Sequence, residues 1–138
     1  MASVAFKLIT PIAVRFDGEA ELVIATGTEG ETGILPHHAP YLTTVRPGVL
    51  RANVVEGGAT KRLELATGEG FLQVLPDRIT LLVDAAFERN DINIDETRRD
   101  LSTAQERQRS AGGDLEAYRR EQSIIDLAHA KLYIAGMH

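Results

Sequence analysis

Cysteine and tryptophan are absent from this chain, and aromatic residues make up only 5% of it. Without a thiol there is no disulfide, no thiolate metal site, no cysteine nucleophile and no thiol redox chemistry. So few aromatics make poor stacking platforms for sugars or bases. A positive surplus is also missing. Fifteen Lys and Arg stand against 20 Asp and Glu, a net charge of −5, which argues against a surface that coats nucleic acid. No apolar run approaches the roughly 20 residues needed to cross a bilayer. The segment Met1 to Lys7 shows no basic region leading into an apolar stretch and a cleavage site. The expectation is a soluble protein in a reducing compartment, reaching a membrane only indirectly.

What is present is enough for one modest domain, or one domain with an appendage, in 138 residues. Glycine and proline divide the chain. All five Pro precede residue 77, and nine of twelve Gly precede residue 71. The first part is therefore turn-rich and the last is not. Short β-like runs fill the first part: Val4–Ile9, Ile12–Phe16, Glu21–Ala25, Tyr41–Val45, Val49–Val55, Lys61–Ala66, Phe71–Leu75 and Ile79–Val83. Pairs such as Asp17-Gly18, Gly57-Gly58 and Pro76-Asp77 separate them. Strands at roughly ten-residue spacing with turn signals between predict an antiparallel β-sandwich or flattened barrel over residues 1–87.

Beyond that the period changes to a helical one. Ile94, Thr97/Arg98, Leu101 and Ala104 share a face, and Asp91, Asp95 and Glu96 sit at the positive end of the dipole. Gly112-Gly113 stops this helix, and Asp114 is a suitable N-cap for the next. Leu115, Tyr118, Ile125, Ala128 and Leu132 form a second stripe, widened by Ile124, Leu127 and Ile134. Residues 88–138 are thus predicted as a two-helix antiparallel hairpin, with helices near 91–110 and 114–135. Two amphipathic helices cannot enclose a core alone, so their stripe must be buried on the sandwich or on another protein. Gly112 and Gly113 form the hinge at which they could stay together or swing apart. An opened segment of roughly 45 residues would reach about 65 Å. From the pattern alone, a fixed hairpin that completes the fold is the favoured reading.

Gly27 to Pro40 is the most unusual stretch. Three Gly at spacing three are followed by Ile34-Leu35-Pro36-His37-His38-Ala39-Pro40. Neither a dinucleotide-binding nor a Walker phosphate loop is present. The glycines are expected to permit positive φ in connected tight turns. His37 and His38 are adjacent, which points them to opposite faces of extended chain, and His129 and His138 lie far off in the tail. No metal site is expected. There is no nucleophile elbow, and Glu29 and Glu31 sit on a turn with no sign of burial. An acidic pair on a rigid exposed loop suits docking to basic side chains. The residues alone read as a non-catalytic interaction protein. A small enzyme or ligand-binding sandwich using Glu29, Glu31, His37 and His38 is the alternative.

The Gly27–Pro40 segment closely resembles the signature turn of the ε subunit of bacterial F-type ATP synthase. Leu8-Ile9-Thr10-Pro11, Arg46-Pro47-Gly48-Val49-Leu50-Arg51, Gly70-Phe71-Leu72-Gln73-Val74 and Ile79 to Ala86 resemble further strand motifs of that family. The resemblance covers the whole chain. It implies a β-sandwich followed by a helical hairpin, in a non-catalytic subunit of the central rotor stalk. The sandwich would pack on the γ subunit and the ring of c subunits. The tail would lie folded, or extend toward the α and β subunits and block ATP hydrolysis. The complex would couple ATP synthesis to proton transport at the cytoplasmic face of the bacterial inner membrane.

Residue by residue, the ring-facing turn maps to Glu29, Glu31 and His38, with His37 where Gly is commoner. Some members bind ATP as a regulatory ligand through an [IL]-D-x-x-R-A motif. Here Asp95 and Arg98 are retained, Arg99 replaces Ala, and Gln105 stands where a second Arg is found. Arg119, Arg120 and Lys131 could make inhibitory contacts with the catalytic head, or be a solvated helix face.

Overall fold

The computed structural model describes residues 2–27 and 29–137. Thr28 of the glycine-rich segment and His138 lie outside the described residues. Nine strands come first: β1 (Val4–Ile9), β2 (Val14–Gly27), β3 (Gly30–Ile34), β4 (Tyr41–Val45), β5 (Gly48–Glu56), β6 (Ala59–Thr67), β7 (Gly70–Leu75), β8 (Arg78–Val83) and β9 (Ala86–Phe87). Two helices follow, α1 (Ile94–Arg109) and α2 (Leu115–Ile134).

The strands run in the order β1-β8-β7-β4-β2-β5-β6-β9, with β3 added to β2. Because β1 also pairs with β2, the ladder closes on itself as a flattened barrel. One pairing departs from the expected antiparallel body: β1 and β8 are parallel. The six strands between them supply the crossover that a parallel pair needs. Alternation along each strand sends Phe6, Leu8, Val23, Leu50, Leu65, Leu72, Ile79 and Leu81 inward, all at or below 1% exposure.

Three sequence expectations are corrected. Asp17-Gly18 is not a turn, since β2 runs straight through it as a 14-residue strand. Gly18 pairs with Phe6 across the ladder, and the Phe16 ring lies over the glycine, where a Cβ would come within 3.0 Å of it. The glycine here makes room for an aromatic ring, which itself packs 5.6 Å from Phe6. The Gly27–Pro40 stretch is not a chain of tight turns, because it contains β3. Of its three glycines only Gly30 takes positive φ; the other positive φ among the described residues of the stretch belongs to His37, at 67°. A side chain therefore occupies a left-handed position where glycine is favoured. Finally, α1 starts at Ile94 rather than near 91. Residues 89–91 form a separate 3₁₀ turn, and Asn93 caps α1 by accepting from the Glu96 amide.

Asp114 caps α2 as expected, accepting from the Ala117 amide. The predicted stripe of α2 is correct only in its C-terminal half. Ile125, Ala128, Ala130 and Ile134 are buried, whereas Leu115 and Tyr118 are exposed. Leu115 and Tyr118 lie before the stretch of α2, Leu127 to Ile134, that packs on β5 and β6.

Gly70 is the tightest backbone approach in the sheet. A Cβ there would fall 1.7 Å from the Leu82 carbonyl oxygen. Gly70→Ala is expected to destabilise the fold by about 2 kcal/mol or more. Gly113 has open space and ordinary φ, and Gly113→Ala should stay within about 0.5 kcal/mol. Urea unfolding midpoints of the two variants check the contrast.

Candidate functional site

The glycine-rich hairpin separates the three residues mapped to a common docking turn. Glu29 stands at the β2–β3 tip, beside the paired Gly27 and Gly30. His38 lies past the other end of β3, a strand that itself spans roughly 13 Å, and its ring is 5.3 Å from Tyr41. Both are exposed. Glu31 is also exposed, but its carboxylate reaches across β2 and accepts from Arg51 of β5. Of Glu29, Glu31, His37 and His38, Glu31 borders a cavity, shared with α2, and the others stand at the surface. Among the described residues no group of three His, Asp or Glu is placed to hold a metal.

Arg51 begins the docking seam of the tail. It pairs with Glu31 and Glu64, and its guanidinium lies 5.7 Å from the Tyr133 ring of α2. Hydrogen bonding and charge from Glu31 and Tyr133 outweigh burial, raising its pKa further. Next along the seam, the outer faces of β5 and β6 present Val49 and Ala66 to Leu127, Ala130 and Ile134 of α2. Alanine on both sides lets helix and sheet approach closely. Lys131 places its ammonium 3.9 Å over the Phe87 ring, a contact of about 0.5–1 kcal/mol. Arg89 donates to the Ile134 carbonyl at 2.9 Å, capping the negative end of α2. α1 packs on α2 rather than on the sheet. Arg51 entered the sequence reading only as the last residue of a strand motif, with no role given to it, and Ala66, Phe87 and Arg89 did not stand out. Val49, Arg51 and Ala66 alternate with core residues on strands that looked ordinary.

The opposite outer face of the barrel is bare. Cross-strand registers align Thr44, Phe71, Leu82, Ile9 and Val14 in one row, and Leu42, Gln73, Thr80 and Lys7 in the next. Leu42 is 66% exposed, Val14 54%, Phe71 53% and Leu82 46%. Five neighbouring strands at about 4.8 Å spacing make an apolar strip about 19 Å wide, bordered by the exposed ion pair of Lys7 and Asp17. A contiguous exposed apolar patch of this kind marks an interaction site.

The residues picked from the tail lie apart. Asp95 is exposed in the first turn of α1, and Arg98 points its guanidinium to the Met137 sulfur at 3.5 Å. Neither lines the adjacent 110 Å³ cavity, which holds Asp91, Glu96 and Asp100 against one cation, Lys131. That carboxylate-rich set does not suit a triphosphate. Gln105 is half-buried. Arg119 and Arg120 border a 540 Å³ groove whose opposite wall carries Glu69 and Asp84 of the sandwich. α1 ends at Arg109 with Ser110 as its C-cap, and Gly112, at φ 60, lies in the turn that follows.

Two carboxylates bracket the junction between body and tail, with opposite electrostatics. Asp91 accepts from the Glu88 amide and from Arg15, each at 3.0 Å, which holds its carboxyl below the usual range. Arg15 also donates to the Ala86 carbonyl, so this pair fastens the 3₁₀ turn to the sandwich. Asp84 is pushed up by burial and by the charge of Glu69, with partial relief from backbone amides.

Comparison with known proteins adds independent findings. The family model described as ATP synthase, Delta/Epsilon chain, beta-sandwich domain matches residues 3–89. The chain is 37% identical over 111 residues to an ATP synthase epsilon chain of Rhodospirillum rubrum, covering 80% of this chain and 81% of that one. It is 36% identical over 135 residues to an ATP synthase epsilon chain of Chromobacterium violaceum, covering 98% and 89%. Its fold is similar to a chain in the Euglena gracilis mitochondrial ATP synthase OSCP/F1/c-ring structure, with TM-score 0.78 and 18% identity over 100% of this chain and 83% of that one. A chain in the Tetrahymena thermophila mitochondrial ATP synthase central stalk/c-ring structure matches with TM-score 0.62 and 17% identity, over 97% of each.

The two carboxylates make opposite contributions to pH dependence. Asp91 has a lowered folded pKa, so its contribution is present above its ordinary 3.8 and is lost as pH falls through the lowered value. Asp84 has a raised one, so its contribution is full below 3.8 and is lost as pH rises through the raised value. At pH 7, Asp91→Asn should lower Tm and Asp84→Asn should raise it, each by about 2–4 °C. Both differences should shrink on acidification, as calorimetry from pH 7 to pH 3 would show.

Proposed function

The chain belongs to the ATP synthase epsilon-chain family, and from that premise we propose that it is a non-catalytic part of the rotating central stalk. Its bare sheet face docks the γ subunit, and its tail regulates ATP hydrolysis. The observation that carries this reading is the division of labour between two outer faces of one barrel. One face holds α2 through a narrow seam centred on Ala66, Ala130 and Ile134. The other exposes Leu42, Phe71 and Leu82 with nothing on them. A stalk subunit needs a permanent contact and a reversible one, and these surfaces differ in that sense. The bare face is flat, apolar and rigidly paired. The seam buries a few side chains, on the order of 5–10 kcal/mol before the ordering entropy of the tail is subtracted, so a competing surface can displace it.

On this reading Glu29 and His38 face the ring of c subunits, while Glu31 serves the seam by holding Arg51. Exposed ion pairs are worth about 0–1 kcal/mol each, so Glu29 aligns that contact more than it strengthens it. In the opened tail, Arg119, Arg120 and Lys131 meet the α and β subunits. Lys131 gives up the Phe87 ring to do so. The subunit sits at the cytoplasmic face of the inner membrane and reaches the bilayer only through its partners. No described helix is long and apolar enough to cross it.

Replacing the exposed Phe71 and Leu82 together by Glu should weaken co-elution with γ by tenfold or more while the barrel keeps its Tm, since both side chains point to solvent. Retained co-elution would remove the assigned face. A chain ending at residue 93, which keeps the Arg15–Asp91 tie, should assemble and raise hydrolysis by the complex. Unchanged hydrolysis at every nucleotide condition would remove the inhibitory role and leave the docking role standing.

A further inference from the structure

Among the described residues, Glu121 is the one charged side chain that the fold buries, at 6% exposure. It lies on α2 in the contact with α1. The three other buried polar side chains each have a partner: Thr10 donates to the Ala13 carbonyl, Thr67 to that of Gly48 and Thr97 to that of Asn93. Glu121 is different. Its Oε1 is buried with no hydrogen-bond donor. Its Oε2 is 3.8 Å from Nε of Arg120, whose own side chain is 65% exposed. From α1, the charged groups that face it are Asp100 and Arg107, which border the same 320 Å³ cavity together with Thr103, Ala104 and Ile124. Among the described residues Arg107 forms no ion pair with it, and Asp100 carries like charge.

A carboxylate taken out of water without donors costs free energy that a methylene chain of the same shape would not. The cost exists only while α1 and α2 are together. When the helices part at Gly112-Gly113, Glu121 returns to solvent and the cost vanishes. We infer that Glu121 is a built-in destabiliser of the closed hairpin, which keeps α1 on α2 weakly enough for the tail to open. This deepens the tail regulation proposed above and rests on that reading for its purpose, but not for its physics.

The test uses the full chain. Glu121→Met keeps the length of the side chain and removes its charge. Hydrogen exchange of amides in α1 and α2 should slow by about fivefold or more, with amides around Leu72 in the barrel unchanged. Glu121→Gln keeps shape and polarity, removes the charge, and decides the matter if the Met variant does not fold; slower exchange is expected there too. Unchanged or faster hairpin exchange in the folded variant overturns the inference, because the carboxylate would then be satisfied or stabilising. Hydrolysis by the complex separates the two claims. Slower exchange with raised hydrolysis supports both. Slower exchange with unchanged hydrolysis leaves the inference standing and removes the inhibitory role.

Discussion

A pair of amphipathic helices has one apolar stripe and no means of enclosing it, and the behaviour of this tail follows from that shortage. The barrel meets the need with a small patch. Ala66 and Val49 offer little side-chain volume, so α2 comes close but gains few contacts. The remaining grip is polar and peripheral: the Lys131 ammonium over Phe87, the Arg89 cap on the last carbonyl, and the Arg51 stack on Tyr133. Such contacts set position well and add modest energy. A tail held this way is ordered without being locked.

Charge is distributed in keeping with that. Glu31, which belongs to the glycine-rich hairpin, is spent on holding Arg51 in place. The groove between Glu69 and Asp84 on the barrel and Arg119 and Arg120 on α2 places opposite charges across a gap. Long-range attraction across it favours closure without a desolvated contact that opening would have to break. The bare face of β4, β7, β8 and β1 is apolar along the row of Phe71 and Leu82 and carries charge toward its margin at Lys7 and Arg78, so shape and the strand rows supply its specificity at the centre.

The strand positions were legible because turn residues and period-two alternation coincide in most of the barrel. Gly57-Gly58 takes positive φ at both residues, a hairpin signal that worked. Asp17-Gly18 carried the same signal and misled. Its glycine answers to the Phe16 ring, a partner two residues away whose placement depends on β1. Helix α2 was legible in its period but not in its reach. Leu115 and Tyr118 continue the stripe of Ile125 and Ala128, and only the tertiary contact with β5 and β6 decides where burial stops. Glu31 looked like its neighbour Glu29; the two differ because strand pairing turns one toward Arg51, and no local pattern encodes a contact 20 residues away. The bare apolar face was hidden for the opposite reason. Phe71 and Leu82 look like core residues until the register assigns them to the outside.

The tie between Arg15 and Asp91 also determines how an opened tail would move. It nails the chain to the barrel just before α1, so the root of the arm does not migrate. At the root, the freedom left is the torsion of Ile92 and Asn93, with the Gly112-Gly113 hinge further along. A long lever turning about two residues explores a cone rather than a sphere, and whatever lies within that cone meets it at a high effective concentration. Capture of the arm by a neighbouring surface then becomes a unimolecular event, timed by release from the barrel and not by diffusion.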